Sequence, residues 1–301
     1  MAATHKRRKL DNFKTPGRFD WYIPSVADCF ILLLWLLVGG FLGSMISVAC
    51  THVLGTQAGT EYGMLISYPV MFIPALIYAS IKSRNNRLYN TGIKLNSSHF
   101  GKIGAFGCAI LCSVSVLCVS YCAEPLCNLL PAMPEFLKNA LENMTGGILW
   151  VDILCVSIFA PLMEEWLCRG MVLRGLLGHG MKPGWAIVAS AFFFAFIHLN
   201  PWQAIPAFMI GCIMGYVYYK TGCLRLTMLM HCVNNTFAVI CSNIPALKDM
   251  ESWSDVLAPT AYWIIFAACL LMTVLCVLAF TKIKLTYNRG NMDEAPTMFP
   301  A

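Results

Sequence analysis

The chain has 301 residues, 58% of them hydrophobic and 12% charged, where a soluble domain carries roughly 25% charged residues; a water-soluble globular fold is excluded. A net charge of +6 would suit an acidic partner, but the basic residues alternate with apolar runs and form no stripe, so no nucleic acid is expected to bind.

Eight apolar runs approach the roughly 20 residues that cross a hydrocarbon core of about 30 Å. Ahead of the first lies a polar arm with Lys6, Arg7, Arg8, Lys9, Lys14 and Arg18. The run at 27–50 is too long for a signal-peptide core and lacks a small-residue cleavage pattern, so it reads as an uncleaved span. The second run is 64–81, followed by Lys82, Arg84, Arg87, Lys94 and Lys102, and the third is 103–122. In the connection 123–147, Phe136, Leu137, Ala140, Leu141 and Met144 recur at helical spacing opposite Glu135, Lys138 and Glu142, which predicts an amphipathic segment on the membrane surface. The remaining runs are 148–167, 185–199, 205–219, 226–244 and 260–281, of which 185–199 and 205–219 are short. Arg169, Arg174 and Lys182 follow the fourth, Lys220 and Arg225 the sixth, and Lys282, Lys284 and Arg289 the last. All of these Lys and Arg fall on one face of the membrane except Lys138, which with Lys248 is all that the other face holds. The positive-inside rule then makes this an integral protein of the cell membrane with both termini cytoplasmic. The expected fold is all-α, a polytopic helical membrane bundle of about eight transmembrane helices with an amphipathic outer segment. Most of the fifteen cysteines sit inside spans, Cys108 with Cys112 and Cys118 with Cys122 at helical spacing. With no CxxC pair, they read as packing residues.

Ionisable groups within spans are costly and therefore informative. Asp28 and Asp152 lie near span ends and can reach headgroups. Glu164, Glu165, Arg169, His198 and His231 remain, with Asn234 and Asn235 beside them. On a helix, Glu165 and Arg169 are four residues apart and can pair, whereas Glu164 points about 100° away toward another neighbour. One carboxylate is thus tied to a cation and the other is free to take a proton from water, a division suited to hydrolysis; a membrane-edge salt bridge would explain Glu165 and Arg169 but not Glu164. His231 and Asn235 share a helix face and can both donate toward one point, as an oxyanion site requires, or can fasten helices together. His198 alone would read as a satisfied core residue.

The three patterns EExxxR (Glu164, Glu165, Arg169), FxxxH (Phe194, His198) and HxxxN (His231, Asn235) occur in order on three spans. Together they resemble the CPBP family of intramembrane proteases, which includes the type II CAAX prenyl proteases and the bacterial Abi proteins, over about 148–240. The resemblance implies Glu164 as the base that activates water, His198 as its partner in positioning that water, and His231 with Asn235 as the oxyanion site, supported by Glu165 and Arg169. It also implies a peptide or membrane-protein substrate, and it allows either a metal-free glutamate mechanism or zinc held by Glu164, His198 and His231 with an open fourth position. No HExxH, GxGD or GxSG pattern of other intramembrane proteases is present. The chain accordingly divides into a basic arm (1–22), N-terminal spans with the outer segment (23–147), a catalytic core (148–245), an outer loop with the last span (246–287) and a cytoplasmic tail (288–301). The alternative is a non-catalytic membrane immunity or scaffold protein whose polar cluster only fastens helices. Helix lengths leave one question: His198 lies about 20 Å along its span and His231 about 9 Å along its own, yet a shared site requires them to meet.

Overall fold

The computed structural model describes residues 19–87, 92–145, 147–247, 250 and 252–283; the basic arm from Lys6 to Arg18, Lys248 and the tail with Lys284 and Arg289 lie outside them. The protein is an all-helical polytopic membrane bundle. Among the described residues the helices are α1 (Val26–Leu54), α2 (Thr56–Arg87), α3 (Gly104–Cys127), α4 (Glu135–Thr145), α5 (149–178), α6 (Pro183–Phe196), α7 (Pro201–Thr221), α8 (Leu224–Ser242) and α9 (Pro259–Thr281). Each of the eight apolar runs falls on one of these, and α4 is the amphipathic segment. Five helices, α1, α2, α3, α8 and α9, are long and apolar enough to cross a membrane. At 14 residues, α6 measures about 21 Å, short of a full crossing.

Local chemistry sets the helix boundaries. Ser25 caps α1: its side chain accepts from the Asp28 amide (3.2 Å) while the Asp28 carboxylate accepts from the Ser25 amide (3.0 Å), so two orphan donors are satisfied at once. Gly55, with φ of +83°, is the single residue that turns α1 into α2. The two helices approach closely along their small residues. A Cβ on Gly43 would stand 2.7 Å from the Ser67 carbonyl oxygen, so only glycine fits there. The Asn200 side chain accepts from the Gln203 amide (2.9 Å) and starts α7, with Pro201 as its first residue.

α5 stands between two packed clusters. On one side Leu32, Leu36 and Phe72 of the α1–α2 hairpin meet Trp166, Leu167 and Met171. On the other, Cys112 and Val116 of α3, Met214 of α7 and Met230 of α8 pack with Phe194 and Cys168. All fifteen cysteines are free thiols, and Cys108, Cys112 and Cys168 are part of this apolar packing.

Arg174, wholly buried, ties distant segments to the foot of α5. Its guanidinium donates to the carbonyls of Gly170 (2.6 Å), Phe19 (3.0 Å), Asp20 (3.3 Å), Tyr22 (2.7 Å) and Ile93 (2.5 Å). The segment before α1 and the connection after α2 are thereby held against the core. Both arginines expected in the connection after the fourth run, Arg169 and Arg174, are inside the protein, because α5 continues to Gly178.

Candidate active site

α5 is not a uniform α-helix. Its segments Ile153–Phe159 and Trp166–Leu173 are wound as π-helix on either side of the α-helical turn Ala160–Glu165 that carries both glutamates. π-Windings of this kind are rare and concentrate at functional sites. In the first, the Ala160 amide bonds to the Cys155 carbonyl five residues back. The next carbonyl, that of Val156, would in this register bond to residue 161, which is a proline and has no N–H. That freed carbonyl accepts instead from the Asn235 side-chain amide on α8, at 2.9 Å. Asn235 in turn accepts from Asn234 at 3.2 Å.

The two glutamates diverge as their helical phase requires. Glu165 is fully buried and pairs with the equally buried Arg169, Nη1 to Oε1 at 2.5 Å. Arg169 also donates to the Gly211 carbonyl (3.1 Å), and its guanidinium lies 4.6 Å from the centre of the Phe194 ring. Glu164 points away from this pair. Its Oε1 accepts a hydrogen bond from the Tyr68 hydroxyl on α2, while its Oε2 is buried and accepts no hydrogen bond from the described residues. His231 bridges the two carboxylates: Nδ1 is 3.2 Å from Glu165 Oε1, and Nε2 is 3.9 Å from Glu164 Oε2. The separation of 3.9 Å is too long for a direct hydrogen bond.

His198 lies in the turn after α6. Its Nδ1 is 2.8 Å from the Phe194 carbonyl oxygen, which can only accept, so Nδ1 carries the proton and Nε2 of the neutral ring is an acceptor. The Phe194 ring joins the two histidines, edge-on to His198 at 5.1 Å and to His231 at 5.4 Å between centroids. The meeting that helix lengths left open therefore occurs across one phenyl ring. The structure thus brings Glu164, Glu165, Arg169 and His231 into one contact network and sets His198 beside it. The Asn235 amide carries two N–H donors, of which Val156 engages one. Among the described residues no three His, Cys, Asp or Glu side chains stand at metal-binding spacing, and His198 is not gathered with Glu164 and His231. As arranged, these side chains do not fit a three-ligand zinc site.

Tyr68 and Phe194 are the contacts that motif reading does not single out as acting residues. Phe194 belongs to FxxxH and could have been noticed as the residue between two histidines. Tyr68 lies in an apolar run, 96 residues from Glu164, and nothing in its surroundings in the sequence marks it.

Residues 146–237 match the family model described as type II CAAX prenyl endopeptidase Rce1-like. The matched region takes in Glu164, Glu165, Arg169, His198, His231 and Asn235, and leaves α1, α2 and α3 outside. No curated protein and no solved structure matches the chain.

Proposed function

From the membership of residues 146–237 in the Rce1-like family of type II CAAX prenyl endopeptidases, we propose that this protein is an intramembrane endopeptidase that hydrolyses a peptide bond with water activated by Glu164. The observation that carries the reading is the Oε2 atom of Glu164, a buried carboxylate oxygen that accepts no hydrogen bond from the described residues and faces His231 Nε2 across 3.9 Å. A carboxylate in that condition takes a proton from a water placed between the two groups. The hydroxide adds to the scissile carbonyl carbon, the C–N bond breaks, and the amine leaves with a proton returned by Glu164. The resemblance gives His198 the part of positioning that water, and it stands beside the network, edge-on to the Phe194 ring. His231 turns Nδ1 toward Glu165 and Nε2 toward Glu164, so Nε2 is the ring nitrogen placed to meet the developing oxyanion. The Glu165–Arg169 pair holds His231 in place from behind. One N–H of the Asn235 amide fastens α8 to α5 through Val156, the part of the cluster that suits the scaffold alternative, and the reading gives its second N–H to the oxyanion.

The substrate is a peptide or membrane protein presented from the bilayer, and a prenylated C-terminal peptide is the first probe the family description suggests. No step runs through a metal. The basic arm, the core at 148–245 and the cytoplasmic tail remain the working division of the chain, with both termini cytoplasmic and the cell membrane as its site.

Glu164→Gln tests the reading, because it keeps size and hydrogen-bonding reach but removes the base. Turnover of the probe peptide by purified protein should fall by about 10²- to 10⁴-fold, with normal insertion and an unchanged melting temperature. A Glu164→Gln protein that cleaves at the wild-type rate overturns the reading. So does a wild-type protein that cleaves no peptide.

A further inference from the structure

The asymmetry of Glu164 has a source outside the matched region. A carboxylate offers two oxygens with about four acceptor positions, and the terminal torsion of a glutamate is broad, so unaided it would exchange its oxygens freely. Here one oxygen is held and the other is not. Oε1 accepts from the Tyr68 hydroxyl, and Oε2, the oxygen that faces His231, is without a partner among the described residues. Tyr68 is itself restrained: its ring packs on Phe72 with centroids 5.8 Å apart, and Phe72 is completely buried in the cluster that holds Trp166, Leu167 and Met171 of α5. It also immediately precedes Pro69, one of two prolines inside α2, where the helix lacks a backbone bond.

We infer that Tyr68 is a positioning residue for the hydrolysis: its hydroxyl pins Oε1 of Glu164 and so assigns the proton-accepting role to Oε2. The inference rests on the peptidase reading of the same site. It gives the α1–α2 hairpin a part in the chemistry, through one hydroxyl, that the family match over 146–237 does not assign. Without the hydroxyl, Glu164 rotates, and Oε2 is presented to the water for only part of the time. Misplacing a reacting group in this way costs rate far more than binding.

The test is Tyr68→Phe, which keeps the ring and its packing on Phe72. With the probe peptide, kcat per folded molecule should fall on the order of tenfold to a hundredfold, while KM stays within about twofold and the melting temperature holds. Normalising to the monodisperse fraction keeps the answer readable if the variant folds less well. Tyr78→Phe is the control: it also removes a hydroxyl from α2, one that donates to Asp28 at 3.1 Å, and it should leave kcat unchanged. A second readout needs no turnover. The infrared carboxylate band of Glu164, isolated as wild type minus Glu164→Gln, should shift when Tyr68 becomes Phe. An unmoved band, or a Tyr68→Phe enzyme as fast as a cleaving wild type, overturns this proposal alone. A wild type that cleaves nothing overturns the peptidase reading and the proposal with it.

Discussion

Arg169 and Glu165 are both excluded from solvent, so each has given up its hydration and depends on the other. Removing one partner from such a pair leaves an uncompensated buried charge and typically costs about 3–5 kcal/mol. Glu165→Gln should therefore lower the unfolding free energy by about that amount and show a clear drop in melting temperature in detergent, whereas Glu164→Gln should not. A Glu165→Gln protein as stable as wild type would mean that the Gly211 carbonyl and the Phe194 ring suffice to hold Arg169. The contrast separates the two adjacent carboxylates by role, one acting on stability and the other on turnover. At this scale the sequence is readable where partners are close along the chain. Glu165 with Arg169 follows from helical spacing alone, and the divergence of Glu164 follows from the same geometry. Tyr68 is not readable, because an aromatic residue in an apolar span looks like packing until a distant carboxylate is placed against it.

Among the elements, hydropathy locates the eight apolar helices but does not describe how α5 is wound. A run of apolar residues carries no mark of whether its carbonyls bond four or five residues ahead, so both π-segments were invisible. Pro161 was visible, and its missing N–H explains why the Val156 carbonyl is open to Asn235; what could not be foreseen was the register that makes Val156, and not its neighbour, the one left free. The close approach in the α1–α2 hairpin runs along Gly39, Gly43, Gly59 and Gly63, which are spaced four residues apart within each helix and are all buried. Gly43→Leu should force the helices apart, because even its Cβ would stand 2.7 Å from the Ser67 carbonyl oxygen. Overpacking of this kind costs about 1–3 kcal/mol. Gly40→Leu, whose Cβ would meet only the flexible end of Met71, at 3.9 Å from its sulfur, should melt within a degree or two of wild type. Equal losses from both substitutions would show that the glycines matter for backbone freedom and not for close approach.

For the molecule as a whole, the division of basic residues describes loops, yet Arg169 and Arg174 are buried side chains of α5. Setting them aside leaves the bias intact, since only Lys138 and Lys248 oppose it. Both termini are therefore expected in the cytoplasm. An impermeant thiol reagent applied to intact cells should not modify Asn288→Cys above the wild-type background, and modification there would reverse the assignment.

Arg174 also has a consequence for how the chain is made. The carbonyls of Phe19, Asp20 and Tyr22 are held by a guanidinium that lies up to 155 residues further on. At a synthesis rate of roughly 5–20 residues per second, those carbonyls are made roughly 8 to 30 s before the group that closes on them exists. During that interval the segment ahead of α1 must remain hydrated, and a nascent chain halted before residue 174 never closes it. Closure of the first segment is thus a signature of a chain translated past α5, and the accessibility of residues 19–22 to a protease reports whether synthesis of an individual molecule went far enough to build its core.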